Sequence, residues 1–208
     1  MITRLLSAIP VWLRILIVFL AQAGVLGAMI AGKMHTLRTG TELILDTAPV
    51  DPRDIFRGDY VILNYTLSLV PAHLLTDPEG VNSGDTLYVT VERTAEGSAG
   101  AVLGLSETLP PPAPDRVTLK GVVDGIRQTA LEVDATGAVL SEREAMRFQM
   151  VYGIESYFVP EGEGGALEAL RNAGIGALRV LVAVDAEGTA AIKALIVNGE
   201  RVAEEGLF

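Results

Sequence analysis

Two stretches of this chain carry residue types that could do chemistry. The first is Asp51-Pro52-Arg53-Asp54-Ile55-Phe56-Arg57-Gly58-Asp59, with five charges of mixed sign in nine residues. Charges this close either form a recognition surface or satisfy one another, the arginines forking onto the carboxylates. In a self-satisfied turn, Asp51 caps, Pro52 sets φ and Gly58 supplies an unusual backbone angle. The second stretch, Tyr152 to Gly164, sets Glu155, Glu161 and Glu163 among aromatic residues. Paired carboxylates serve as general acid and base, or hold a cation. A carboxylate-dependent hydrolase would draw on Glu155, Glu161 or Asp59. Two of them would have to converge within about 5–9 Å in a concave apolar pocket.

Other chemistries lack parts. The chain has no cysteine, which removes disulfides, thiolate ligands and cysteine nucleophiles. His35 and His73 have no ligand partner at helix or hairpin spacing, so no metal site is expected. A Gly-Lys-Ser/Thr phosphate loop and a Gly-x-Ser-x-Gly elbow are both missing. Gly162-Glu163-Gly164-Gly165 is glycine-rich, but its glutamate repels phosphate. A serine–lysine dyad would need Lys120 or Lys193, and both fall in expected strands. Ser83, Ser106, Ser141 and Ser156 carry no diagnostic context. No cofactor is expected.

The elements that position these residues are mostly strands. Val61, Leu63, Tyr65, Leu67 and Leu69 alternate with Ile62, Asn64, Thr66 and Ser68, a strand with one buried face. Val61, Leu63 and Tyr65 are expected to face the core. Leu87, Val89 and Val91 repeat the pattern, as do Met146, Phe148, Met150 and Tyr152, and Leu178, Val180, Val182 and Val184. Residues 117–123 and 190–197 are further strands. Asp134-Ala135-Thr136-Gly137 marks a hairpin between Leu131 and Val139, and Asp185-Ala186-Glu187-Gly188 a turn. Asn198-Gly199 is a two-residue hairpin turn, because both residues tolerate positive φ. Residues 165–173 suggest one short helix and 71–76 another turn or two. The proline run from Leu109 to Pro114 reads as a stiff extended loop. The fold class that follows is mainly β: an antiparallel sandwich or partly closed barrel with one or two short helices.

Before this domain lies a membrane segment. Ile15 to Gly32 is uncharged and mostly apolar, and as a helix it spans about 27 Å, close to a bilayer core of about 30 Å. Trp12, Arg14 and Lys33 flank it as interface anchors. The expected organisation is a short cytoplasmic start over 1–14, a transmembrane signal anchor over 15–32, a linker over 33–41 and an exported β domain over 42–208. Arg4 and Arg14 before the span tie with Lys33 and Arg38 after it, so the free N-terminal amine and the signal-anchor layout favour the N-terminus inside and the domain outside the cytoplasmic membrane. Ala23, Gly27 and Ala31 repeat every four residues, and so do Gly24, Ala28 and Gly32. Small residues at this spacing let two membrane helices approach closely, with Gln22 read as a hydrogen-bond donor across the contact. The net charge of −10 argues against a nucleic-acid partner, which needs a basic face.

The charged turn and its strand carry a resemblance. Gly58-Asp59-Tyr60, then Leu63, then Tyr65, fits the pattern that names the GDYXXLXY family of bacterial proteins. The stretch Pro49 to Asp54 and the stretch Tyr152 to Gly162 resemble that family too, over roughly residues 10–200. The resemblance implies single-span proteins of the inner membrane, encoded beside polytopic membrane proteins and without an established activity. It supplies no catalytic residues. The reading that follows is a non-enzymatic accessory domain, periplasmic and membrane-anchored. It works with an integral membrane partner, or self-associates through its helix. The interaction residues are Asp51, Arg53, Asp54, Arg57, Asp59, Glu155, Glu161 and Glu163. The alternatives are the carboxylate-dependent hydrolase and a module that binds a small ligand or an envelope component inside a β barrel.

Overall fold

The structure, a computed structural model, describes residues 10–48, 60–128, 146–158, 177–197 and 199–204. The hairpin expected around 134–137 and the helix expected over 165–173 lie outside the described residues. The chain divides into two compact units, residues 1–35 and residues 36–208.

Helix α1 (Val11–Thr39) contains the apolar run Ile15–Gly32 and is long and apolar enough to cross a membrane. Ile15, Phe19, Leu26 and Met29 are exposed, so apolar side chains point outward all around it. The expected linker after it is not a linker. Lys33 to Thr39 contains neither proline nor glycine, so the helix continues to Thr39 and only Gly40 separates it from the first strand. The N–H of Gly40 donates to the Thr36 carbonyl at 2.9 Å. A Cβ on Gly40 would meet that oxygen at 2.5 Å and the Val184 nitrogen at 2.9 Å. Thr36 and Leu37 are buried, and the Thr36 hydroxyl donates to the Asp185 carboxylate at 2.7 Å. The last turn of the helix therefore belongs to the folded domain.

One five-stranded antiparallel sheet runs β12 (Glu200–Glu204), β11 (Ala190–Val197), β10 (Leu178–Val184), β1 (Thr41–Ala48), β3 (Asn64–Tyr65). A second runs β4 (Leu69–Pro71), β8 (Met146–Val151), β7 (Arg116–Gln128), β5 (Thr86–Arg93), β6 (Ala99–Ser106). A separate two-stranded ladder joins β2 (Tyr60–Ile62) to β9 (Ser156–Phe158). The domain is mainly antiparallel β, as the alternation predicts.

Backbone bonds tie the two large sheets together. Ile44 N–H donates to Gly97 O at 2.9 Å, and Lys120 N–H to Gly188 O at 2.7 Å. The result is a partly closed barrel around one core. Leu43, Leu45 and Val180 of the first sheet share that core with Val89, Leu119 and Phe148 of the second. Full burial of each such side chain stabilises by about 1.5–3 kcal/mol. β10 departs from simple alternation. Leu181 joins Ala194, Ile196 and Ile44 in a smaller cluster apart from the main core. Both faces of β10 are buried, which suits its place in the middle of the sheet.

The stretch Val61 to Leu69 is not one strand. It contributes to β2, β3 and β4, which sit in three different sheets. A 3-10 turn over Thr66–Ser68 breaks the register. Leu63, Tyr65 and Leu67 are buried as expected, but Leu69 is exposed and Val70 takes the inward place. The side chain of Val61 lies outside the described residues. The short turn expected after Pro71 is present as a 3-10 turn over Ala72–Leu74. β11 and β12 pair with Val197 opposite Glu200, and Gly199 has φ +87°, as the Asn-Gly hairpin requires.

Candidate functional site

The two chemistry-bearing stretches meet at the β2–β9 ladder. Tyr60 pairs with Phe158, Val61 with Tyr157 and Ile62 with Ser156. The mixed-charge stretch 51–59 leads directly into Tyr60, and the carboxylate stretch resumes directly after Phe158. The ladder is antiparallel, so both stretches join the folded domain at the same end of it. Asp51, Arg53, Asp54, Arg57, Asp59, Glu161 and Glu163 themselves lie outside the described residues.

Below the ladder, Leu63 and Tyr65 close on the turn after β8. The N–H of Leu63 donates to the Glu155 carbonyl at 2.8 Å. The Tyr65 hydroxyl donates to the Ile154 carbonyl at 2.5 Å. In return, the Tyr152 hydroxyl donates to the Leu67 carbonyl at 2.7 Å. Each tyrosine is buried and gives its proton to a carbonyl of the other's segment. Local features hold the two rings. Ser68 accepts the Tyr65 N–H at 3.1 Å, and Gly153 has φ +79°. Gly121 leaves room beside Tyr152, since a Cβ there would come within 3.0 Å of the ring.

Glu155 is the one candidate glutamate that is described. Its carboxylate accepts the backbone N–H of Tyr152, which closes the turn. Burial raises the pKa of the Tyr65 hydroxyl well above the usual phenol range, and the nearby Glu155 charge raises it further. Tyr152 is raised by the same two causes in the same order. Both phenols therefore stay protonated and keep donating. Glu155 and the two tyrosines form a structural clasp, and their polar groups are engaged in it.

The other sequence candidates have ordinary places. Ser83 donates to the Asp124 carbonyl at 2.8 Å, and Ser106 to the Thr108 carbonyl at 2.7 Å. Lys193 pairs with Glu42 at 2.6 Å, and this pair lowers the Glu42 pKa, first through the hydrogen bond. The pair is about two-fifths exposed, so it stabilises little. His35 and His73 are both exposed. The barrel interior among the described residues is filled by Leu43, Leu119, Phe148 and their neighbours.

On α1, helical geometry separates Gln22 from the small residues. At roughly 100° per residue, Ala31 lies roughly 180° and Gly24 roughly 160° around the helix from it. The two small-residue rows, Ala23-Gly27-Ala31 and Gly24-Ala28-Gly32, are adjacent and share one side, whereas Gln22 points away. A Cβ on Gly24 or Gly27 meets nothing within 4 Å, so the small side is open to close approach.

The fold and these contacts define a class: a β-barrel-like domain carried on one apolar N-terminal helix, with the latter long enough for single-pass anchoring. The model of the GDYXXLXY protein family matches residues 22–195, and the chain belongs to that family. No curated protein and no solved structure matches it. Of the family's naming residues, Tyr65 belongs to the clasp, and Gly58 and Asp59 lie outside the described residues. Tyr60 opens the ladder, Leu63 bonds the facing turn, and Tyr65 locks it.

Proposed function

We propose that this protein is an exported, single-span accessory protein that works with an integral membrane partner and presents a charged contact surface to it. Its residues are Asp51, Arg53, Asp54, Arg57 and Asp59 before the β2–β9 ladder in sequence, and Glu161 and Glu163 after it. The observation that carries the reading is the pairing of Tyr60 with Phe158, which delivers both stretches to one end of one ladder. Engagement of Glu155 by the Tyr152 N–H supports contact over hydrolysis, because it takes one candidate acid out of chemistry. The small side of α1 offers a second contact to the same partner, or to another copy of the chain, within the bilayer.

The test is crosslinking and capture of the full-length chain from native membranes. An integral membrane protein should be recovered. Charge reversal at Arg57 and Asp59 together with Glu161 and Glu163 should lower its recovery several-fold without moving the thermal unfolding midpoint. Recovery of free monomer alone, with neither partner nor second copy, would sink the proposal. A purified chain that cleaves substrates and loses this activity in Glu161→Gln would favour the hydrolase.

A further inference from the structure

The apolar run of α1, Ile15 to Gly32, holds one polar side chain, Gln22, near its middle. We propose that Gln22 centres a face through which α1 pairs, in parallel, with α1 of a second copy of the chain. The proposal rests on the reading of α1 as a membrane span. It leaves the small-residue side, on the other side of the helix, to the integral membrane partner.

The polar group comes first. A glutamine amide carries a carbonyl acceptor and an NH₂ donor. Gln22 is exposed, and among the described residues its amide has no hydrogen-bond partner in the chain. Hydrocarbon supplies none either, so the partner must come from another helix. That helix must match the amide in partial charge, donor against acceptor, at the same depth. Copies of one chain insert with one orientation, so a second α1 in register sets Gln22 against Gln22. Each amide then donates to the other's carbonyl, and two-fold symmetry closes the pair. A different helix meets the same demand only with a polar residue of its own at that depth. The pattern comes second. With Ile15, Gln22 and Met29 at position a of a heptad, Val11, Val18 and Val25 fall at d, and Phe19 and Leu26 at e. At about 100° per residue, all of these lie within about 60° of Gln22 around the helix. The apolar ones are between 56% and 68% exposed, so the seam is uncovered along its length. A repeat of about 3.5 residues keeps one seam facing a partner helix, and a single polar residue at position a fixes its register. Shape comes third. One notch beside Gln22 is lined by Ile15, Val18 and Phe19, and another by Ala21, Val25 and Leu26. These notches are the holes that the partner's seam residues fill. Val18 and Val25 are stiff at χ1 in a helix, so the seam keeps its shape when a second copy docks.

The chain has no cysteine, so single cysteines introduced one at a time report contacts without background. The test uses the full-length chain in vesicles of phosphatidylethanolamine with phosphatidylglycerol, under mild oxidation. Ile15→Cys and Met29→Cys should crosslink into dimers, whereas Leu20→Cys and Ala31→Cys, on the far side of the helix, should not. Energy transfer between copies labelled at the N-terminus, followed as lipid is added, reads the strength of the pair. Gln22→Leu should weaken it about tenfold, the share expected of one amide contact between membrane helices. Gln22→Asn keeps the amide and should weaken it less. Equal energy transfer in Gln22→Leu and the wild type, or crosslinking through Ala31→Cys in place of Ile15→Cys, overturns the proposal. Alkaline carbonate washing separates the two ideas. A chain that washes off refutes the span; one that stays embedded as a monomer refutes only the pairing.

Discussion

Tyr65 and Tyr152 each donate to a carbonyl in the other's segment, so the clasp is reciprocal. Replacing either with phenylalanine leaves a buried carbonyl without its donor, at a cost of about 1–3 kcal/mol. Urea unfolding of Tyr65→Phe and Tyr152→Phe should show that loss, and the double variant should lose less than the sum, because both bonds close one contact. The clasp also sets an alkaline limit. Both phenols have folded-state pKa values raised by burial and then by the Glu155 charge. Their stabilisation is complete below the unfolded phenol value of about 10, and it falls as pH rises from there towards the folded values. Unfolding free energy should drop by about 1.4 kcal/mol per pH unit for each tyrosine above about pH 10. Each phenylalanine variant should drop less steeply. An unchanged slope in both variants would separate the alkaline limit from these residues. None of this was legible in the sequence, because Tyr65 and Ile154 are 89 residues apart. The carboxylates and aromatics from Tyr152 to Gly164 suggested catalysis or contact, not a clasp.

At the scale of elements, period-two alternation located β5 and β8, whose inward residues are large and whose outward ones are mostly polar, and also β10, although its outer residues Leu181 and Ala183 are apolar and buried. β6 escaped notice because Ala99-Gly100-Ala101-Val102-Leu103-Gly104-Leu105-Ser106 has small residues on both faces and no contrast to read. The break inside Val61–Leu69 was hidden differently. Alternation persists in letters through the 3-10 turn, while the backbone there shifts the inward face from Leu69 to Val70. The helix end was misjudged because polar residues suggested a linker, and polarity does not stop a helix without a glycine or proline. Gly40 is that stop, so Gly40→Ala should be destabilising, against the usual gain from removing a glycine. The added methyl faces backbone atoms that cannot rotate away. Differential scanning calorimetry should show a lower midpoint, and an unchanged or raised one would mean that the helix end can shift.

At the scale of the molecule, the outer strands of the two five-stranded sheets are blunted. β3 has two residues, β4 ends in Pro71, β12 carries Glu200, Arg201 and Glu204, and β6 loses register with β5 twice. Strand addition at these edges is thus disfavoured. What the whole domain needs in order to fold is set at its start. The compact unit begins at Thr36, inside the helix, not at the first strand. A fragment of residues 36–208 keeps the Leu37 side chain in its buried place and the Thr36 bond to Asp185. A fragment of residues 42–208 loses both. Burying one leucine stabilises by about 1.5–3 kcal/mol, and one hydrogen bond to a charged acceptor adds about 1.5 kcal/mol. The shorter fragment should therefore unfold roughly 10 °C below the longer one, given about 2–4 °C per kcal/mol for a domain of this size. Thr36→Val in the longer fragment should reproduce the smaller, hydrogen-bond part of that difference. Equal midpoints for the two fragments would show that the helix end adds nothing to the domain, and would return the boundary to the first strand.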